Sequence, residues 1–424
     1  MGDSVPKGWR KEVLGNLCDV NRGSSPRPIA DQRFFKGGTI PWIKIADATK
    51  SGKHLYETKE HVNEFGASFS RQLTKGSLII AASGTLGYPQ FLGVEGCAHD
   101  GWLIPSNFRG IDKNFLYYLF LWKKEFFYSS AYGAAIQNIN TMILREMEVV
   151  IPDMQGQERI AAVLSAYDDL IENNTRRMLV LERMAQALYR EWFVHFRFPG
   201  HAQVKLVASP LGKIPQGWEV TTLQSITTKI GSGATPRGGK DTYKAEGIHL
   251  IRSLNIYDYS FEFDNLAFID EKQAAELDNV TVEENDILLN ITGASVARCA
   301  LVPSYLLPAR VNQHVAIIRT DATMASPFYV LDTINSDQRK QQLLALAQGG
   351  ATREALTKET VSNFEIILPP TPLLKRYDDI AKSIHKQREV LLRKNQNLRH
   401  TRDLLLPKLI SGALDVSKLD IETT

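Results

Sequence analysis

Cysteine is almost missing: Cys18, Cys97 and Cys299 stand alone in 424 residues. Isolated and odd in number, they form neither a disulfide framework nor a CxxC metal site. The nine histidines include no HxxxH pair, so the usual zinc spacings are lacking as well. No apolar run reaches the ~18 residues that a membrane span needs. The opening stretch MGDSVPKGWRKE has no apolar segment of signal-peptide type. A cytoplasmic protein with no membrane partner and no metal of its own is the expectation. Net charge is low too, +3 overall, with ordinary hydrophobic (43%) and charged (23%) fractions. The charge is uneven, however. Residues 5–151 hold 18 basic against 13 acidic side chains, whereas residues 214–368 hold 13 against 19. A nucleic-acid role for the second stretch has to rest on local basic loops.

What the chain does have is a repeat. VPKGW at 5–9 returns as IPQGW at 214–218, and Gly23-Ser-Ser-Pro-Arg27 returns as Gly233-Ala-Thr-Pro-Arg237. TIPWIKIAD (39–47) matches GIHLIRSLN (247–255), and LTKGSLIIAASG (73–84) matches VEENDILLNITG (282–293). GAAIQNINTMILREMEVVIP (133–152) matches GATREALTKETVSNFEIILP (350–369). Correspondences in the same order with small drift identify a tandem pseudo-repeat of about 210 residues per copy. Each copy opens with short apolar runs divided by Gly, Pro and Asn turns, the pattern of a mixed α/β globule.

A long helix follows each globule. From Gln157 to His195 there is no Gly or Pro. Ile160, Leu164, Tyr167, Ile171, Asn174, Met178, Leu181, Ala185, Leu188 and Trp192 recur at alternating steps of four and three, which predicts a coiled-coil seam. A single helix packed on its own domain is the plainer alternative. The second copy offers Ile380, Ile384, Leu391, Leu398 and Leu405, interrupted by Gln387, Lys394 and Thr401, with Pro407 expected to end or kink the helix. Antiparallel pairing of the two helices is the simplest arrangement, with Asn174 as a polar register-setter. The predicted class is α+β, with two mixed α/β domains separated by two long helices in an antiparallel coiled coil. The expected boundaries are 1–152, helix 153–197, linker 198–213, 214–369, helix 370–412 and a tail 413–424.

Catalytic motifs fail one by one. GSGATPRGGK at 231–240 resembles a phosphate loop, but Gly239 stands where the lysine must be and Lys240 is followed by Asp241. No N/D-P-P-F/Y loop of an amino-methyltransferase is present. Asp47, Glu57 and Lys59 have the spacing of a metal nuclease, yet the second copy carries Asn255 at the place of Asp47 and no matching trio. A stand-alone nuclease built on that trio is the runner-up reading, and a scaffold without nucleic acid is a third. Two homologous, catalytically empty globules on helices suit bipartite recognition, for which DNA is the natural ligand.

The run at 157–201, QERIAAVLSAYDDLIENNTRRMLVLERMAQALYREWFVHFRFPGH, resembles the first conserved helical region of type I restriction–modification specificity subunits. PxGW opening each half, I/L-P closing each globule, and LRHTRDLLLPKLISGAL in the second helix fit the same family. The resemblance covers nearly the whole chain. It implies that each globule reads half of a split, asymmetric double-stranded DNA target while the helices set the gap. It also implies two modification subunits carrying S-adenosylmethionine and restriction subunits using ATP and Mg, with no cofactor in this chain itself.

Flexible loops bearing Arg, Lys, Asn, Gln, Ser and Thr are the candidates for DNA contact. In the first copy these are Ser24, Ser25, Arg27, Ser83, Thr85, Gln137, Asn138 and Asn140. In the second they are Thr235, Arg237, Lys240, Thr292, Arg298, Gln313, His314, Thr352 and Arg353. Turn and capping roles compete at each. The acids Asp258, Glu262, Asp264, Asp270, Glu271 and Glu276 are expected to face away from DNA. Trp192, Phe193 and Phe196, too many for a two-helix seam to bury, are expected to pack on a globule or dock a modification subunit.

Overall fold

Short apolar strands must satisfy their backbone groups in sheets, and both copies do so in the same order. The computed structural model describes residues 5–48, 52–130, 138–348 and 354–417. The first copy forms a sheet ordered Asp19–Arg22, Trp102–Ser106, Leu78–Ala81, Pro89–Leu92, His54–Leu55. The second copy forms Thr227–Ser232, Val315–Thr320, Ile287–Asn290, Cys299–Leu301. A second sheet recurs as well. It runs Glu60–Val62, Ile40–Ile43, Gly96–Ala98, Arg71–Leu73 in one copy, and Ala267–Ile269, Ile248–Ile251, Ala309–Val311, Thr281–Val282 in the other. In both, the central pair is parallel and its flanks are antiparallel. Each globule is closed by pairing its first strand with its last, Arg10–Val13 with Glu148–Ile151 and Glu219–Thr222 with Glu365–Leu368.

The chain divides into two compact units, Met1–Thr175 with Arg393–Thr424, and Arg176–Leu392. Each unit holds one globule and part of each long helix. The first long helix spans Met154–Tyr189 and continues as a π-helical turn, Arg190–Val194; the second spans Thr371–Ile410. Residues 206–215, within the expected linker and just past it, form a small hairpin of Leu206–Ser209 and Gly212–Pro215.

Pro407 does not end the helix as expected. The helix runs three residues further, because Leu405, Leu406, Leu409 and Ile410 pack into the first globule's core and hold the last turn despite the missing amide. Gly412, with φ +74°, then turns the chain back against Trp9. The PxGW motif is thereby explained in both units. Trp9 lies against the end of the second helix, and Trp218 stacks near Phe193, Phe196 and Phe198 at the end of the first.

Antiparallel helix pairing is visible within each unit. In the first, Asn174 Nδ2 donates to Asn395 Oδ1 at 2.9 Å, and Arg402 meets Asp168 at 2.5 Å. In the second, Arg388 meets Glu182 at 2.7 Å, and the Trp192 and Tyr377 rings lie 6.0 Å apart. Ile160, Leu164, Ile171 and Asn174 are buried, as are Ile384 and Leu391; Met178, Leu181, Leu188, Leu398 and Leu405 are half-buried.

One half of the second helix's expected seam is displaced by a residue. Ile380 is 44% exposed, and Gln387, Lys394 and Thr401 face solvent. Arg388, Asn395 and Arg402 occupy the seam instead, each satisfied by a polar partner on the first helix. Hydrophobic periodicity misses such positions because it counts arginine and asparagine as surface.

Asn395 is fully buried and also donates to Ile171 O and Thr175 Oγ1, both at 3.1 Å. Asn395→Ala is expected to destabilise the first unit by about 1–3 kcal/mol, since it strands Asn174 and Thr175. Replacing Asn174 and Asn395 together by leucine should cost less. Denaturant unfolding of the three proteins checks the order.

Candidate nucleic-acid interface

A glycine that no side chain can replace stands at the centre of each loop cluster. In the first copy, Gly23 N donates to Trp102 O (2.9 Å) and Ser24 N to Ala98 O (3.0 Å), laying the GSSPR loop across the 98–102 turn. A Cβ on Gly23 would lie 2.1 Å from His99 O. In the second copy, Gly233 N donates to Val315 O (2.8 Å) and Ala234 N to Val311 O (3.0 Å). A Cβ on Gly233 would lie 2.1 Å from Val311 O and 2.3 Å from Asn312 O. The glycine shared by GSSPR and GATPR therefore permits one backbone to lie on another.

Two further predicted loops join the same turn. Ala82 N donates to Gly101 O (2.8 Å), Ile139 N donates to Ala82 O (2.9 Å), and Ser83 bridges Asn138. The second copy repeats this: Ile291 N donates to His314 O (3.0 Å), Leu356 N to Ile291 O (2.8 Å), and Thr292 bridges Ala355. Loops widely separated in sequence thus meet in one wall, built twice.

The side chains on the two walls differ. In the first, Arg27 ion-pairs with Asp100, whose amide donates to Ser25 Oγ (3.2 Å). His99 Nδ1 lies 3.0 Å from the Asp100 carboxylate but also accepts from Gly101 N at 2.9 Å, which requires a lone pair there. Burial holds the His99 pKa below its ordinary value, against the pull of Asp100. Thr85 lies half-buried in the 84–88 turn. In the second wall, Thr235 donates to Gln313, and His314 is held by Thr292 Oγ1 (2.7 Å) and Gln313 Nε2 (3.2 Å). Arg237 and Lys240 are exposed, and neither has an ion-pair partner among the described residues. The Arg298 guanidinium lies 4.4 Å over the Tyr257 ring.

Not every candidate is placed here. Asn140 caps the helix Thr141–Arg145, its Oδ1 accepting from Ile143 N at 2.9 Å, so its oxygen serves the fold. Gln137, Thr352 and Arg353 lie outside the described residues. Conversely, His99 and Asp100 were missed. So were Arg22 and Arg71, where Arg22 Nε donates to Asp100 O (2.7 Å) and Arg71 Nε to Arg22 O (2.8 Å). Only alignment of the 98–102 turn with 311–315 points to His99-Asp100, opposite Asn312-Gln313.

The structure bears on three other expectations. Of the two places expected for the aromatic cluster it shows packing on a globule: Trp192 and Phe193 are 9% and 4% exposed, and Phe196 packs on Trp218, all in the second unit's core with Tyr329 and Tyr377. Asp47 of the nuclease-like trio is buried and accepts from the amides of Lys44 (2.9 Å) and Lys59 (3.2 Å), a backbone-capping role. Of the second copy's acids expected to face away from DNA, Asp258 pairs with Lys340 and Asp270 with Lys244; elsewhere in that copy Asp278 pairs with Arg310, and Glu283 and Asp286 with Arg319. All three cysteines are buried, and burial pushes the Cys18 thiol up to about 11, unsuited to a nucleophile.

Residues 6–183 match the type I restriction modification DNA specificity domain. The MjaIX type I restriction enzyme specificity subunit of Methanocaldococcus jannaschii is 26% identical over 98% of this chain and 95% of its own length. Over nearly its whole length the chain is similar to type I specificity subunits. Among them, the HindI specificity subunit of Haemophilus influenzae is 22% identical over 96% of this chain and 99% of its own. The S subunit of the M. genitalium type I system, known from its crystal structure, has the same fold: TM-score 0.61 at 14% identity, covering 96% of this chain and 98% of the other. A specificity subunit is the non-catalytic, DNA-recognising part of its enzyme, in keeping with the failed catalytic motifs above.

Because backbone oxygens cannot rotate away, Gly233→Ala should lift the second loop off its turn. The expected cost is about 1–3 kcal/mol, with faster amide hydrogen exchange confined to Gly233, Ala234 and residues 311–315. Exchange at the wild-type rate there would show that the loop accommodates the methyl group.

Proposed function

We propose that this specificity subunit reads a bipartite, asymmetric DNA target, one half with each loop wall, and that its paired helices set the unread gap. The supporting observation is one architecture built twice with different side chains. Ser24-Ser25 and His99-Asp100 in one wall stand where Ala234-Thr235 and Asn312-Gln313 stand in the other. Equal backbones give equal approach to DNA, and unequal side chains give unequal half-sites. In this reading Arg27, Arg237 and Lys240 supply charge to phosphates or base edges. Ser24, Ser25, Ser83, Thr85, Asn138, Thr235, Thr292, Arg298, Gln313 and His314 supply the polar groups that discriminate bases. Gln137, Asn140, Thr352 and Arg353 remain among the proposed DNA-contact residues.

The subunit recruits two modification subunits, which bring S-adenosylmethionine and methylate a flipped adenine, and restriction subunits that use ATP and Mg. The complex works in the cytoplasm, where its DNA lies. Among the described residues no helix is long and apolar enough to cross a membrane.

Mapping methylated adenines genome-wide, with and without this gene, should reveal one split motif that disappears with the gene; loss of a continuous motif, or of none, contradicts the reading. Arg237→Ala should lower methylation at that motif by roughly tenfold or more, or relax a single base position of one half-site. The same methylation maps read either outcome.

A further inference from the structure

Two glutamates one repeat apart hold the two globules to their helices. Glu172 on the first long helix corresponds to Glu389 on the second, with the same offset that relates Ile151-Pro152 to Leu368-Pro369. In the first unit, Glu172 Oε2 lies 3.0 Å from His54 Nδ1, and Oε1 accepts from the Tyr56 hydroxyl at 2.8 Å. Nearer the start of that helix, Asp168 Oδ2 accepts from the Tyr118 hydroxyl (2.6 Å) and Ser165 Oγ from Lys53 Nζ (2.9 Å). Spacings of three and four place these side chains on one helix face.

In the second unit, Glu389 Oε1 accepts from both the amide and the hydroxyl of Ser304, each at 2.6 Å. Arg388 Nη2 donates to Tyr259 O at 3.0 Å, and the Tyr377 hydroxyl bonds Asp332. Both grips fall at a sheet rim. His54–Leu55 pairs with Pro89–Leu92 and is the outermost strand of the first copy's larger sheet. Ser304 follows Cys299–Leu301, the outermost strand of the second copy's sheet, which takes the place of Pro89–Leu92. The globule side chains differ entirely, His and Tyr against Ser and a backbone amide, while the carboxylate persists. A carboxylate bound by two donors is a stiff connection, and such charge-assisted bonds are stronger than neutral ones.

We infer that Glu172 and Glu389 are positioning residues: each locks the rotation of its recognition globule on the helix, and so the phase in which the half-sites must be presented. This rests on the bipartite reading above. Adding one base pair to the gap turns a half-site by about 35° and shifts it by about 3.4 Å. A locked globule rejects that displacement, whereas one free to pivot follows it.

The test uses the chain assembled with its modification subunits. Adenine methylation is measured on duplexes carrying the mapped motif at its native gap and with the gap one base pair shorter or longer. Wild type is expected to prefer the native gap strongly. Glu172→Ala should shrink that preference by roughly tenfold, given the strength of the bonds removed, with activity on altered gaps rising relative to the native one. Glu172→Gln, which keeps an acceptor for Tyr56, should restore part of it. Glu389→Ala tests the other half independently, should Glu172→Ala not fold. A uniform loss on all three duplexes, or an unchanged preference, would overturn the inference. Indifference of the wild type to the gap would instead overturn the bipartite reading itself.

Discussion

The polar seam between the two long helices is the constraint on which the rest of the structure depends. Arg388, Asn395 and Arg402 sit where hydrophobic side chains would ordinarily lie, and each meets a partner from the first helix: Glu182, Asn174 and Asp168. Burial raises the Glu182 carboxyl pKa and lowers that of the Arg388 guanidinium, so the pair carries a desolvation cost that its own attraction must offset. Such pairs add little net stability. They do penalise every other register, because a slip by one turn would leave buried charges and amides without partners. An all-leucine seam would tolerate slippage that this polar seam penalises.

In each unit a seam residue stands close to the carboxylate that holds the globule: Asp168 lies one turn before Glu172, and Arg388 directly precedes Glu389. Helix pairing and globule orientation are therefore coupled over a few residues. The loop walls sit elsewhere on the globules, where backbone bonds common to both copies join the loops and side-chain contacts differ between them. Their side chains are free to differ between copies without disturbing the frame. This division explains how the two copies keep one topology with little residue identity. In the acidic second copy Asp258, Asp270, Asp278, Glu283 and Asp286 have cationic partners, while Arg237 and Lys240 have no ion-pair partner among the described residues.

Much of the fold was legible. The repeat, the α+β class, the long helices and their antiparallel pairing follow from spacing, because strand and helix periodicities and Gly/Pro punctuation are local properties. The loop candidates were legible as groups for the same reason: equal positions in two copies mark equal backbones. Single residues were less so. Asn140 proved to be a helix cap, and His99 and Asp100 went unseen, since nothing local distinguishes a turn residue that meets a distant loop from one that does not. The seam positions of the second helix differ by one residue from those the periodicity predicts, and the helix runs past Pro407, where it was expected to end or kink, because both depend on what lies opposite.

By itself, then, the sequence determined the repeated architecture, the glycine at the heart of each loop and the absence of familiar catalytic motifs, all of which depend on neighbours along the chain. The tertiary structure alone decided three things: which polar residues the seam buries, that Trp192, Phe193 and Phe196 are spent in a core, and that the glycine exists so that two backbones can touch. Those outcomes depend on atoms brought together from distant segments, and no periodicity encodes the identity of a partner across space.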